Sequence, residues 1–198
     1  MMMKPKFSFC LLLLLLVVGG VSQVRAQDWA IKTNIVYDAT ATANLGVEIG
    51  LTQKWTLDIS GNLNGWSKDE ATKWKHWMVQ PEARYWFCDR FSRHFLGVHA
   101  IAGAFNFGGI NNNISFLGSD FSVLSNKRYQ GYAYGGGVAY GFAFMLSKNI
   151  NIELEAGVGY AYLDYDVFDC GYCGRRIGSG GHHYVGPTKA AVNLVFLF

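Results

Sequence analysis

The sequence predicts an all-β protein, an eight-stranded, antiparallel, up-and-down transmembrane β-barrel preceded by a cleaved signal peptide. Three observations predict it. The chain opens on an export-type apolar run, and no later apolar stretch is long enough for a spanning helix. Eight segments then alternate bulky apolar with small or polar residues at period two.

The leader is MMMKPKFSFCLLLLLLVVGGVSQVRA, residues 1–26. Lys4 and Lys6 form a positive start, Phe7 to Val21 an apolar run, and Val24-Arg25-Ala26 a cleavage site before Gln27. The run is about 15 residues, against roughly 20 for a helix that spans a bilayer. Cys10 lies inside the run and does not follow a lipobox, which makes it a poor lipidation site. The expected organisation is a signal peptide over 1–26 and one barrel domain over 27–198.

Cleavage changes the charge. Lys4, Lys6 and Arg25 leave and no acid does, so the 17 basic and 14 acidic residues of the whole chain become 14 of each. No basic surplus remains to hold nucleic acid. The chain has 24 Gly, 3 Pro, 16% aromatic and 16% charged residues. About a quarter is usual for charged residues in a soluble domain.

The eight segments are 30–38, 43–51, 55–66, 75–87, 94–109, 129–146, 150–166 and 183–198. In the second, Leu45, Val47, Ile49 and Leu51 share one face while Asn44, Gly46, Glu48 and Gly50 share the other. The sixth sets Tyr132, Tyr134, Val138 and Tyr140 against Gly131, Ala133, Gly135 and Gly137. A soluble ligand-binding barrel would turn the bulky face inward and coat its exterior with Lys and Glu. Here the second face is too rich in glycine and too sparsely charged for that role. It suits a narrow lumen, and the apolar face suits lipid, where an Arg or Lys at mid-membrane costs about 2–4 kcal/mol.

Connection lengths predict the topology. Residues 52–54, 88–93 and 147–149 are short, as periplasmic turns are; 67–74, 110–128 and 167–182 are longer, as external loops are; 39–42 is a short first external turn. The size class is that of the OmpA and OmpX barrels. The last strand alternates Val192, Leu194, Phe196 and Phe198, a pattern similar to the insertion signal of bacterial outer-membrane barrels. Expected partners are therefore outer-membrane lipid or lipopolysaccharide and, during biogenesis, the barrel-assembly machinery.

Strand parity turns Lys32, Glu48, Asp58, Glu82, Arg84, Glu153, Glu155 and Lys189 into the lumen, with His99 beside them. These groups read either as paired charges plugging the barrel or as an ion gate. An eight-strand barrel is barely wide enough for its own side chains, and unpaired buried charges are costly, so the plug is the expectation. GYAYGGGVAYG fails as a dinucleotide loop, because Tyr140 stands where Gly135-x-Gly137 requires glycine.

Small barrels also include lipid A acyl hydrolases and acyltransferases, which need a nucleophile or an acid–base set near the outer leaflet. His76, Ser67, His182, His183 and Asp120 are the polar groups at that side, and no spacing links them into a set. The loop DCGYCGRRIGSGGHH raises two further readings. Cys170 and Cys173 have CxxC spacing, and His182 and His183 would complete four zinc ligands. Adjacent histidines fit one ion poorly and a second close ligand pair is missing, so a Cys170–Cys173 disulfide in an oxidising compartment is preferred. No cofactor is expected. Cys88 falls on the opposite side of the membrane, as a free or intermolecular thiol.

KTNIVYDATATANLGVEIGL, WTLDISGNLNGW, KHWMVQPEARYWFCDRF, RYQGYAYGGGVAYG, GVGYAYLDYD and GPTKAAVNLVF together resemble a domain-of-unknown-function family of small outer-membrane barrel proteins in Bacteroidetes. The resemblance covers nearly all of the mature chain. It implies an outer-membrane location, no catalytic residues to carry over, and, because some relatives are encoded with fimbrial genes, work in surface assembly or adhesion. The expected function is a non-enzymatic barrel with a structural or surface-assembly role in the cell envelope. A lipid A-modifying enzyme and a narrow ion channel are the alternatives.

Overall fold

The computed structural model describes residues 27–65, 73–108, 115–116, 119–120, 127–169 and 174–198. The predicted signal peptide lies outside them. Eight strands form a ring among the described residues: β1 (Trp29–Asn34), β2 (Ala43–Gly50), β3 (Trp55–Asn64), β4 (Lys73–Trp86), β5 (Arg93–Gly108), β6 (Arg128–Met145), β7 (Ile150–Phe168) and β8 (Arg176–Leu197). Each pairs antiparallel with its sequence neighbour, and β8 returns to pair with β1, closing a hydrogen-bonded ring. A separate two-residue ladder joins Ser115–Phe116 to Ser119–Asp120.

The ring sorts side chains as the period-two pattern requires. Lys32, Glu48, Asp58, Glu82 and Glu153 are buried inside it, while Val47, Ile59, Val98, Val138 and Val158 stand exposed on its outside. Val192, Leu194 and Phe196 take the outward parity, opposite the buried Ala191, Val195 and Leu197. Phe198 stacks on Trp29, ring centres 4.4 Å apart, across the seam that closes the ring.

Close approach explains the glycines of β6 and β7. A Cβ at Gly135 would strike the carbonyl oxygen of Tyr160, and one at Gly159 that of Gly136. These two strands pack backbone to backbone, as the tight curvature of a small ring demands.

Three expectations are corrected. The first segment does not run to residue 38. The Asn34 side chain accepts the Val36 N–H at 3.1 Å and caps a single helical turn, α1 (Ile35–Ala39). The connection expected over 167–182 is much shorter, because Gly178–His182 pair with Val167–Leu163 as strand. Glycine and histidine read as loop residues locally, but a long neighbouring strand supplies a ladder they can join. The last segment, read as one regular strand, contains a bulge. Register shifts between Pro187 and Lys189, so the extra residue Thr188 and its neighbour Lys189 both reach the interior.

The wall of the ring is uneven. β1 has 6 residues and β2 has 8, against 19 in β7 and 22 in β8. β8 pairs with β1 only over Asn193–Leu197. Among the described residues, its edge from Arg176 to Ala191 has no strand on that side; the Val192 N–H meets the Asn34 side chain at 3.3 Å. The ring is therefore low over β1–β2, where α1 lies, and tall over β5–β8.

Candidate functional site

The interior has three levels. The lowest, at the short-turn end, is apolar: Trp86, Phe91, Phe95, Ala30, Ala143, Val195 and Leu197 form one buried cluster. Phe91 belongs to the β4–β5 turn. It takes a left-handed backbone with φ 62°, a cost of roughly 1 kcal/mol that burial of its ring offsets. The Asn151 amide holds it by donating to the Phe91 carbonyl at 2.7 Å. Gly141 leaves room for the Phe95 ring, which a Cβ at that position would penetrate.

The middle level is charged, and seven of the eight strands contribute to it. Arg84 of β4 is the hub. Its guanidinium donates to Glu82 at 2.6 Å, Glu48 at 2.8 Å, Glu155 at 2.8 Å and Glu153 at 3.2 Å, and stacks 4.4 Å above the centre of the Phe95 ring. Lys32 pairs with Glu48, with Glu153 at 3.2 Å and with Asp58 at 3.3 Å. Lys189 pairs with Glu82 at 2.6 Å and Glu155 at 3.1 Å. His99 shares a hydrogen bond with Thr188 at 2.9 Å and has its other ring nitrogen 3.7 Å from Glu82. β6 adds no charge, only the small inward residues Gly137, Ala139 and Gly141 that accommodate the others.

The two levels are coupled. Trp86 Nε1 donates to Thr56 Oγ1 at 2.9 Å, and the Thr56 hydroxyl donates to Glu48. The network thus rests on the aromatic floor through hydrogen bonds as well as through the Arg84–Phe95 stack. All nine residues singled out for the lumen meet in this one cluster. Sequence reasoning missed Thr188, Thr56 and Gln80, whose amide donates to the Thr188 carbonyl at 3.2 Å. The only signal for Thr188 was the break in strict alternation at Pro187-Thr188-Lys189. Above the cluster lies a polar space of about 40 Å³ between Asn34, Tyr37, Asn62 and Gln80.

The upper level holds a cavity among the described residues. Its volume is about 550 Å³ and it is centred on one rung of the sheet, in which Asn64 pairs with His76, His76 with Phe105, Phe105 with Gly131 and Gly131 with Tyr165. Gly180 of β8 opposes Tyr165 and ends the rung. No β1 or β2 residue belongs to it. Asn64 instead donates to Thr42, at 2.9 Å, in the turn before β2.

The residues considered for catalysis or metal binding do not assemble among the described residues. His76 lines the cavity, its ring 5.9 Å from that of Phe107. His183 faces outward and shares a hydrogen bond of 2.5 Å with the Tyr160 hydroxyl. Its neighbour His182 takes the opposite face, because both now lie in a strand. Asp120 lies in the short ladder, which is not hydrogen-bonded into the ring. Ser67, Cys170 and Cys173 lie outside the described residues, and with them the disulfide and the zinc reading. No described group of three or more His, Cys, Asp or Glu residues could hold a metal ion. Cys88 is exposed and free in the β4–β5 turn.

The family model for proteins of unknown function designated DUF3575 matches residues 10–198, and the chain belongs to that family. No curated protein matches the chain.

Proposed function

We propose that the chain is a small, non-enzymatic outer-membrane β-barrel protein that stabilises the envelope or supports a surface assembly. The observation that carries the reading is the inverted distribution of polarity. Three cations and five carboxylates are buried inside the ring, while Leu45, Val47, Ile59, Val98, Val138 and Val158 are exposed outside it. Water would favour the reverse; lipid favours this arrangement.

The aromatic residues add support. Trp29, Trp55, Tyr85 and Phe87 lie on the outside near the short-turn end, while Trp77, Tyr132, Tyr134, Tyr160 and Tyr162 lie towards the other. Two such girdles match the two interfaces of a bilayer. β1 and β2 are shorter than the 9–11 residues of a usual membrane strand. The exposed Ile35 and Val36 of α1 continue the apolar surface beyond β1. In this reading the termini and short turns are periplasmic, the longer connections extracellular, and lipid or lipopolysaccharide surrounds the ring. Surface proteins such as fimbrial subunits are the proposed partners. The packed middle level argues against a conducting pore.

Heat-shifted gel mobility combined with thiol labelling of intact cells tests the proposal. After mild reduction, an impermeant maleimide should reach Cys170 or Cys173 and leave Cys88 unmodified. Labelling at Cys88 alone would invert the topology, and loss of the heat shift would remove the barrel. Altered lipid A in a deletion strain would favour the enzyme alternative.

A further inference from the structure

The small polar chamber above the charge cluster has a wall of one-sided chemistry. β3 lines it with Asp58, Ser60 and Asn62, successive inward positions about 6.6 Å apart along the strand. Gln80 of β4, the pairing partner of Ser60, adds a fourth polar side chain. Several donors on this wall are already engaged. The Ser60 hydroxyl donates to the Gln80 carbonyl at 3.3 Å, and the Gln80 amide to the Thr188 carbonyl at 3.2 Å. The Asn44 amide donates to the carbonyls of Asn34 and Thr42 and to the Asp38 carboxylate. Acceptors remain. Asn62 is only 8% exposed, and its buried Oδ1 meets no donor. Asp58 Oδ1 also accepts no hydrogen bond, although the Lys32 ammonium lies 3.3 Å away.

The charge beneath the chamber points the same way. Three cations stand against five carboxylates, which leaves two negative charges in excess with His99 neutral and one with it protonated. Uncompensated charge in a protein interior is costly. Lys32 and Lys189 also line the chamber, but each is shared among carboxylates: Lys32 by Glu48, Glu153 and Asp58, Lys189 by Glu82 and Glu155. An anion there would meet a negative field that a cation would relieve. The volume of about 40 Å³ holds about three water-sized spheres, enough for a metal ion with its water and too little for an organic cation. Oxygen ligands suit hard cations. The chamber wall offers one carboxylate, Asp58, where a divalent ion would draw on several.

We propose that the chamber binds a monovalent metal cation, held by Asn62 Oδ1 and Ser60 Oγ and attracted by the surplus carboxylates below. Asp58 and Asn62 stand about 13 Å apart along β3, so one ion does not touch both, and water completes its shell towards Asp58. The packed charges and the aromatic cluster close the way beneath. The ion is therefore a resident that balances the interior charge, and it is not conducted. The inference depends on the closed ring and holds whether lipid or water surrounds it.

Urea unfolding of the full-length mature protein, folded in detergent, tests this with sodium chloride as the probe and choline chloride holding the ionic strength constant. The unfolding constant should fall as sodium replaces choline, by about eleven-fold at a sodium concentration ten times the dissociation constant. Asn62→Leu removes the unpartnered oxygen at nearly constant volume and should abolish the difference between the two salts. Asn62→Asp puts a charged oxygen at the same point and should tighten sodium binding several-fold, which keeps the test decisive where Asn62→Leu does not fold. Equal midpoints in sodium and choline for the unaltered protein would overturn the inference. A sodium effect that survives in Asn62→Leu would assign the ion to another place and overturn it too, as would sodium binding in Asn62→Asp no tighter than before.

Discussion

The lower and upper halves of the interior are made by the same strands and obey opposite rules. Below, every inward position is filled, first by Trp86, Phe91 and Phe95 and then by a cluster in which Arg84 touches four carboxylates. Above, the inward positions of β6 and β8 include Gly131 and Gly180, the β1–β2 wall has ended, and a cavity remains. Side-chain volume accounts for part of the contrast, and the number of strands still present at each height for the rest. Eight strands close a space that side chains can fill; the strands that continue higher bound a cleft. Stability should therefore reside below and tolerance above.

The largest expected effect is at the hub. Arg84→Met leaves four buried carboxylates without their shared cation and should cost about 3–5 kcal/mol, read as a lower urea midpoint for the detergent-folded protein. Arg84→Lys should recover only part of this, because an ammonium cannot reproduce the planar fork. Next is the outer surface. Val138→Arg, on the exposed face of β6, should cost about 2–4 kcal/mol for folding into lipid; an indistinguishable refolding curve would argue for a solvated exterior. Trp86→Phe keeps the aromatic floor but removes the bond to Thr56, with an expected loss of about 1–2 kcal/mol in the same assay. Asn34→Ala removes the cap of α1 and the acceptor for Val192, with an expected loss of about 1 kcal/mol and faster amide exchange at Val192. Gly65→Trp, in the upper half, should change stability by no more than about 0.5 kcal/mol. An effect as large as that of Arg84→Met would erase the distinction between the two halves.

Much of the lower half is legible in the sequence. Period two assigns each residue a face, so Lys32, Glu48, Asp58, Glu82, Arg84, Glu153 and Glu155 could be placed inside without knowing their partners. Lys189 could be placed too, because the bulge lies just before it and the parity of the final residues is undisturbed. The upper half is far less legible. DCGYCGRRIGSGGHH looks like a loop, since glycine, histidine and arginine carry no strand signal of their own. Its second half is strand because β7 runs alongside it to Phe168. The separation of His182 from His183 follows from that pairing and weakens the zinc reading for a reason that spacing could not reveal.

By itself the sequence determined the strand count, the alternation of faces and the identity of the buried charges. Each follows from local chemistry: the two-residue repeat of a strand and the cost of placing a charge against an apolar neighbour. Only the tertiary structure decided that Arg84 is the hub, that Phe91 folds back as part of the floor, that Thr188 is an extra residue and that the wall drops at β1. These depend on register between strands distant in the chain, as between Lys32 and Glu153 or Glu82 and Lys189. A one-residue shift in that register reverses every face downstream of it.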